Sequence, residues 1–225
     1  MTWVKICGIT NLEDALVAVD AGADAVGFVF YDKSPRRVSP DIAREIVARL
    51  PQSVEKVGVF VDSECDEIRK TVTASGLTAV QLHGDQSKQS VLNNVQPASE
   101  CVGTGKLIAM IPGDSLKKNG FFIGNGMREK IFAILLDSTS HSLQGGTGKV
   151  FDWKETGNLA RSLGLRIPVI VAGGLSPDNV VDAMRTFHPF GLDVTSGVEF
   201  SPGKKDHDKV RQFVRAVREL DRRLN

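Results

Sequence analysis

Short apolar segments alternate with amphipathic ones along most of this chain. Nearly continuous apolar runs are typical of parallel strands that are covered on both faces. We predict eight such strands, at residues 4–7, 24–30, 56–61, 78–84, 105–111, 131–137, 168–172 and 191–195. The intervening segments place apolar residues at the three-to-four-residue spacing of helices. These predicted helices cover residues 11–21, 63–74, 85–95, 152–163, one segment that begins at Pro40 and one that begins near Asp206.

The repeat of strand and helix, at a period of about 25 to 30 residues, predicts the fold class. Eight repeats fit an α/β protein, a single-domain (β/α)8 TIM barrel over residues 1–225, better than an open doubly wound sheet. The segment near 112–130 is irregular and rich in glycine, so no helix is assigned there. No Pro/Ser-rich linker divides the chain into two domains.

Local start signals support two of these helices and indicate a further one after the seventh strand. Thr10 and Glu13 match a capping box, in which each side chain bonds the other residue's backbone N–H. The Ser39-Pro40 pair is a strong helix start, and Ser176-Pro177 repeats it after the seventh strand.

Composition and charge exclude several classes of function. With 28 Lys and Arg against 27 Asp and Glu, the chain has no general positive field for nucleic acid. No apolar run is long enough to span a membrane and no signal sequence is recognisable, so we expect a cytoplasmic protein without a membrane partner. Three distant cysteines without a CxxC motif predict reduced thiols, and the histidine spacing supports no metal site.

Polar residues follow several of the predicted strands. In a barrel the carboxyl ends of all strands meet at one face, so these residues are expected to lie together. The set contains a thiol, a carboxylate, cations and two glycine loops, which is typical of an active site. Its members are Cys7, Arg36, Arg37, Gln81, His83, Asp137, Gly173, Gly174, Ser196 and Gly197.

Cys7 and Asp137 are the candidate proton-transfer groups. Asp137 ends an otherwise apolar strand, where partial shielding from water favours the neutral carboxyl that can act as a general acid. A thiol becomes a base when helix N-termini or a cation favour its thiolate. The alternatives are that Cys7 is a small buried hydrophobe and that Asp137 caps a turn.

The glycine loops are candidate sites for an anion. Gly173, Gly174 and Gly197 would let backbone N–H groups approach a phosphate, and barrels commonly bind phosphate after strands seven and eight. These glycines could instead only form tight turns. The loop 145–149 is not a P-loop, because Leu143 stands where a P-loop has glycine and Val150 stands where it has serine or threonine. The glycines of this loop could instead form a lid over the substrate, or they could provide flexibility without a functional role.

The remaining candidates would contact substrate. The Arg36 guanidinium could bind a carboxylate with two parallel hydrogen bonds, although an arginine in a polar loop is also commonly solvated. Gln81 and His83 could donate hydrogen bonds at the mouth of the barrel, and a purely structural histidine is equally compatible with the sequence.

Motifs spread over the chain resemble phosphoribosylanthranilate isomerases, the tryptophan-pathway family. They are KICGIT, GADAVGFVF, SPRRVSP, VGVFV, AVQLHG, ILLD, GGTGKVFDW, AGGLSPDNV, DVTSGVE and PGKKDH. The resemblance implies a cofactor-free Amadori rearrangement of N-(5-phosphoribosyl)anthranilate, with Cys7 as general base and Asp137 as general acid. It further implies that Arg36 or Arg37 binds the anthranilate carboxylate. The loop with Gly148 would contact the substrate, and the loops after the seventh and eighth strands would bind its phosphate.

Two competing interpretations remain. The first is another barrel enzyme that acts on a sugar phosphate, which would share the phosphate loops. Of these enzymes, a histidine-pathway isomerase would have an aspartate in place of Cys7. An indole-glycerol-phosphate synthase would need a catalytic lysine and glutamates at other strand ends, which are not found. A non-catalytic barrel that senses a phosphorylated ligand would not need both proton-transfer groups. The sequence predicts a monomer or homodimer with a small sugar-phosphate substrate.

Overall fold

Eight parallel strands close into a barrel in chain order, as the sequence predicts. The computed structural model describes residues 1–83, 105–112, 130–137, 157–158 and 167–224. Each strand pairs with the next, and β8 pairs with β1 to complete the barrel. The strands are β1 (Trp3–Cys7), β2 (Ala25–Val29), β3 (Glu55–Val61), β4 (Ala79–His83), β5 (Lys106–Pro112), β6 (Ala133–Asp137), β7 (Val169–Ala172) and β8 (Gly191–Val194).

Helices and one short hairpin follow the strands in the described part of the chain. The helices are α1 (Leu12–Asp20), α2 (Pro40–Val47), α3 (Cys65–Ser75), α4 (Val180–Phe187) and α5 (His207–Leu224), and the antiparallel hairpin is β9 (Glu199–Ser201) with β10 (Lys204–Lys205). The sequence did not predict this hairpin. The helices predicted over 85–95 and 152–163, and the irregular segment near 112–130, lie almost wholly outside the described residues.

The predicted helix starts have different outcomes. Ser39 caps α2, because its hydroxyl accepts a hydrogen bond from the Ile42 N–H at 3.3 Å. The capping box at Thr10 is wrong: Asn11 caps α1 by accepting from the Asp14 N–H at 2.9 Å, while the Thr10 hydroxyl donates to the Gly203 carbonyl.

The start predicted at Ser176-Pro177 is also displaced. Helix α4 begins only at Val180, after Asn179. The Ser176 hydroxyl accepts from the Asp178 N–H at 3.3 Å, and the Val180 N–H reaches the Ser176 carbonyl at 3.1 Å. The Ser-Pro pair therefore forms a turn ahead of the helix.

The core consists of two apolar layers separated by the sheet. Side chains alternate along each strand, so one set faces the helices and the other faces the barrel axis. The outer layer includes Val4, Ile6 and Phe28 against helix residues such as Phe213. The inner layer is smaller and is formed by Ala25, Val57, Ala79, Ile108, Met110, Ala133, Leu135, Ile170 and Ala172. Lys5 and Cys7 share the inward parity of this second set.

Two sequence-based expectations concern cysteines and membranes. Cys7 is a free, buried thiol, whereas Cys65 is disulfide-bonded, so the expectation of reduced thiols is wrong for Cys65. None of the helices in the described ranges combines the length and the apolar character needed to cross a membrane.

Candidate active site

A cavity of about 390 Å³ opens at the carboxyl ends of the barrel strands. Most of the residues predicted from the strand ends surround it together. Those that line it are Cys7, Arg36, Gln81, His83, Asp137, Gly173, Gly174 and Ser196. Gly197 follows Ser196 without lining the cavity, and Gly148 lies outside the described residues.

The two candidate proton-transfer groups are carried by rigid strand ends. Cys7 is the last residue of β1 and is only 5% exposed, beside Gly27 of β2 in register. Asp137 is the last residue of β6 and is partly exposed, beside Ala172 of β7. In the closed barrel β7 and β8 lie between β6 and β1, so the thiol and the carboxyl line the cavity from different sides.

The loops after β7 and β8 form the part of the cavity predicted to bind phosphate. Gly173 and Gly174 both have left-handed φ values, +91° and +63°, which glycine adopts without strain. Asn179 holds this loop, since its amide nitrogen donates to the Gly174 carbonyl at 2.9 Å and its amide oxygen accepts from the Ser176 N–H at 2.8 Å. Gly174 and Ser196 are exposed at the surface that a ligand would reach.

Arg36 is held in the cavity wall by a buried carboxylate. Its Nε and Nη2 atoms donate to Glu199 Oε1 at 2.9 Å and Oε2 at 2.6 Å. Glu199 also accepts from Lys205 Nζ at 3.1 Å and from the Gly203 N–H at 3.2 Å. Although burial favours the neutral carboxyl, Arg36 and Lys205 outweigh it and lower the pKa of Glu199. Glu199 lies 163 positions from Arg36 and was not predicted as a site residue from the sequence.

The structure also separates the two neighbouring arginines. Arg37 pairs with Asp32 at 2.9 Å on the surface, with its side chain 56% exposed, and does not line the cavity. The Arg36 side chain is 22% exposed and does line it. Of the two arginines that the sequence left open, Arg36 is the one that lines the cavity.

His83 and Gln81 occupy neighbouring levels of β4 within the cavity. Burial, only partly opposed by the negative charge of Asp137, lowers the pKa of His83 below its ordinary 6.5. The imidazole is therefore neutral near pH 7 and can both donate and accept a hydrogen bond. Gln81 is 3% exposed, and its amide oxygen accepts from Lys5 Nζ at 2.9 Å.

A buried ion pair beneath Cys7 was likewise not predicted from the sequence. Lys5 Nζ on β1 donates to Asp193 Oδ1 on β8 at 3.0 Å, and the two residues are adjacent in register. A signal was present in the sequence, because each strand carries a single charged residue among apolar neighbours. Opposite charges in two strands that meet when the barrel closes could have indicated this pair.

The fold and the site define an enzyme of the (β/α)8-barrel class, with its chemical groups at the carboxyl face. Residues 4–216 match the family model described as N-(5'-phosphoribosyl)anthranilate (PRA) isomerase. The chain therefore belongs to the N-(5'-phosphoribosyl)anthranilate isomerase family, an enzyme family of tryptophan biosynthesis.

Individual relatives agree with this assignment. The isomerase of Geobacter sp. (strain M21) is 45% identical over 98% of this chain and 100% of the relative, and that of Thermotoga neapolitana is 44% identical with the same coverage. The crystal structure of the Thermotoga maritima isomerase superposes with a TM-score of 0.81, at 41% identity over 97% of this chain and 100% of that chain. A further isomerase structure contains reduced 1-(o-carboxyphenylamino)-1-deoxyribulose 5-phosphate; it superposes with a TM-score of 0.76 at 38% identity, over the same shares of each chain.

Proposed function

We propose that this chain converts N-(5-phosphoribosyl)anthranilate to 1-(2-carboxyphenylamino)-1-deoxyribulose 5-phosphate, with Cys7 as general base and Asp137 as general acid. The observation that carries the proposal is that a buried thiol and a strand-end carboxyl line one cavity with Arg36 and two glycine loops. The relative that binds a reduced form of this product adds support, because its fold covers 97% of the present chain.

The first step requires a proton at the ring oxygen of the substrate. Asp137 donates it as the furanose C–O bond breaks, and the nitrogen lone pair forms a Schiff base with C1. The resulting iminium nitrogen withdraws electrons and acidifies the proton on C2. A carboxyl at the cavity wall suits this role, because general-acid groups must reach the leaving oxygen directly.

The second step removes the proton from C2. Cys7 accepts it as a thiolate, and the C2–H electrons form the C1–C2 double bond of an enolamine while the iminium nitrogen is neutralised. Tautomerisation of the enolamine then gives the C2 ketone. No oxidant or reductant is needed, since only protons and bonding electrons within the substrate move.

The other cavity residues would orient the substrate between these groups. Arg36 presents its guanidinium to the anthranilate carboxylate, with Glu199 fixing the opposite edge. Backbone N–H groups of the loops after β7 and β8 would hold the phosphate. His83 and Gln81 remain candidates for hydrogen bonds to the ribose chain, and Gly148 for a contact from the loop after β6.

Turnover of freshly generated phosphoribosylanthranilate, followed as fluorescence decay, tests the proposal. Each group should contribute on the order of 10² to 10⁴ in rate, so Cys7→Ser and Asp137→Asn should each lower kcat at least a hundredfold. The matched control is Asp66→Asn on α3, which lies outside the cavity and forms only an exposed ion pair with Arg69. This control should turn over at the unmodified rate.

Two results would contradict the assignment. Absence of turnover by the unmodified protein would refute the activity itself. Retention of kcat by a folded Cys7→Ser variant would leave the activity standing but remove Cys7 from the role of base.

A further inference from the structure

The ion pair beneath Cys7 lies in the barrel interior, where charge is costly. Lys5 is completely buried, and the side chain of Asp193 is 7% exposed. The ammonium of Lys5 has three N–H donors, of which one meets Asp193 Oδ1 at 3.0 Å and another meets Gln81 Oε1 at 2.9 Å. Its position is thereby fixed from β8 on one side and from β4 on the other.

The end of the Lys5 side chain is close to the sulfur of Cys7. A Cβ atom built on Gly27 would lie 2.7 Å from Cys7 Sγ and 3.0 Å from Lys5 Cε. The sulfur of Cys7 and the end of the Lys5 stem therefore border the same space, which is open because residue 27 is a glycine. Lys5 and Cys7 also interact electrostatically. Burial disfavours the ammonium, but Asp193 and Cys7 outweigh it, and the pKa of Lys5 lies above 10.5.

More cations than carboxylates surround the sulfur of Cys7. Three cations attract it electrostatically: Lys5, Arg36 and Lys205. Two carboxylates pair with these cations, since Asp193 binds Lys5 while Glu199 binds both Arg36 and Lys205. Elsewhere in the cavity wall, His83 is neutral near pH 7, and the exposed Lys33 is a further cation.

Lys5 differs from Arg36 and Lys205 because its charge is not shared with the substrate or with Glu199. Arg36 and Lys205 share one carboxylate, and Arg36 is the group expected to bind the substrate carboxylate. Lys5 is absent from the cavity lining, and the end of its side chain lies near Cys7 Sγ beside Gly27. Its charge therefore stays beside the sulfur whether or not a substrate is bound.

We propose that Lys5 is a positioning residue for the isomerisation, whose ammonium, held by Asp193 and Gln81, keeps the Cys7 sulfur as the thiolate that accepts the substrate proton. The proposal rests on the proposed function, in which Cys7 is the base. Lys5 does not line the cavity that would hold the substrate, and it acts through Cys7.

The test measures the reactivity of Cys7 in the ligand-free protein. Iodoacetamide alkylates thiolates, and mass spectrometry of the Cys7 peptide gives its rate between pH 5 and 10. In Lys5→Met, which keeps the aliphatic stem, the pH of half-maximal alkylation should rise by about 1 to 3 pH units, the usual effect of an opposite charge at 4–6 Å. In Asp193→Asn the same pH should fall, because Lys5 loses its counterion.

Lys56→Met is the matched control. Lys56 is 5% exposed on β3, but its Nζ donates to the Pro51 carbonyl at 2.6 Å and it does not line the cavity. Its replacement should leave Cys7 alkylation unchanged. A lysine that only fills space in the barrel would give shifts of one sign, or none, in Lys5→Met and Asp193→Asn.

Opposite shifts in the two variants support the proposal, and equal or absent shifts overturn it. If Lys5→Met does not fold, judged by circular dichroism, Asp193→Asn decides alone: an unchanged or higher pH of half-maximal alkylation overturns the proposal. Alkylation requires no turnover, so this result is independent of the kinetics of Cys7→Ser. The two experiments therefore distinguish a failure of Cys7 as the base from a failure of Lys5 to stabilise the thiolate.

Discussion

Gly197 is the residue at which the two candidate phosphate loops touch, and its replacement by alanine should push them apart. A Cβ atom at this position would lie 1.8 Å from the Leu175 carbonyl oxygen, 2.8 Å from the Leu175 carbonyl carbon and 3.1 Å from Ser176 Cα. All three are backbone atoms, so no side chain can rotate away. Relief of the contact requires the loop after β7 and the loop after β8 to separate by more than about 1 Å.

The size of the expected effect follows from this separation. Overpacking of this kind typically costs about 1 to 3 kcal/mol, and in a domain of this size each kcal/mol lowers Tm by roughly 2 to 4 °C. A displacement of about 1 Å at positioning groups can cost about a hundredfold in rate. Because a phosphate held by these loops would be bound equally in the ground and transition states, we expect most of the loss in KM.

Steady-state kinetics and thermal unfolding of Gly197→Ala provide the assay, with Gly76→Ala as the matched control. Gly76 follows α3 with a left-handed φ of +68°, and its nearest neighbour to an added Cβ is Val47 at 3.4 Å. The control should lose about 1 kcal/mol of stability with its KM unchanged. An unaltered KM and Tm in Gly197→Ala would refute the proposed contact between the loops.

Two further predictions concern groups that hold the site and the termini. Cations depress the pKa of Glu199 below 4.5, so ionised Glu199 stabilises the fold above that pH and the contribution is lost as the pH falls through the depressed value. Glu199→Gln should therefore flatten the acid dependence of the free energy of unfolding and raise KM; a parallel dependence in both proteins would contradict this. Arg218 donates to the Thr2 carbonyl, the Gly22 carbonyl and Asp24, so Arg218→Ala should cost about 1.5 to 3 kcal/mol in denaturant unfolding. Arg211→Ala, which breaks only an exposed pair with Asp208, should cost less than about 1 kcal/mol, and equal losses would count against the role of Arg218.

The strands could be predicted from sequence because their signal is local. A run such as IFAILLD is apolar at both parities, and in a barrel both faces of the strand are covered, so the pattern and the observed β6 (Ala133–Asp137) agree to within two residues. Helix starts were less predictable, since a capping side chain can find a partner elsewhere. Thr10 has the correct chemistry for a cap, but in the fold its hydroxyl bonds Gly203, 193 positions away.

The same reasoning explains which parts of the site were found. Cys7, Asp137 and the glycine loops follow strands directly, so the topology alone brings them to one face. Lys5 and Asp193 lie inside strands, and their pairing across 188 positions exists only after β8 closes the barrel on β1. Glu199 belongs to a hairpin too short to leave a periodic pattern.

The buried pair is better explained by function than by stability. Removing an ammonium and a carboxylate from water costs several kcal/mol each, and apolar residues of similar volume often stabilise a core at least as well. The inner layer around the pair is made of alanine, valine, isoleucine and other apolar side chains, so the fold has no general need for charge along its axis. The charge occurs instead near Cys7, where Gly27 leaves space for the lysine stem beside the sulfur. A pair that is unnecessary for packing and adjacent to the proposed base is what the stabilisation of a thiolate requires.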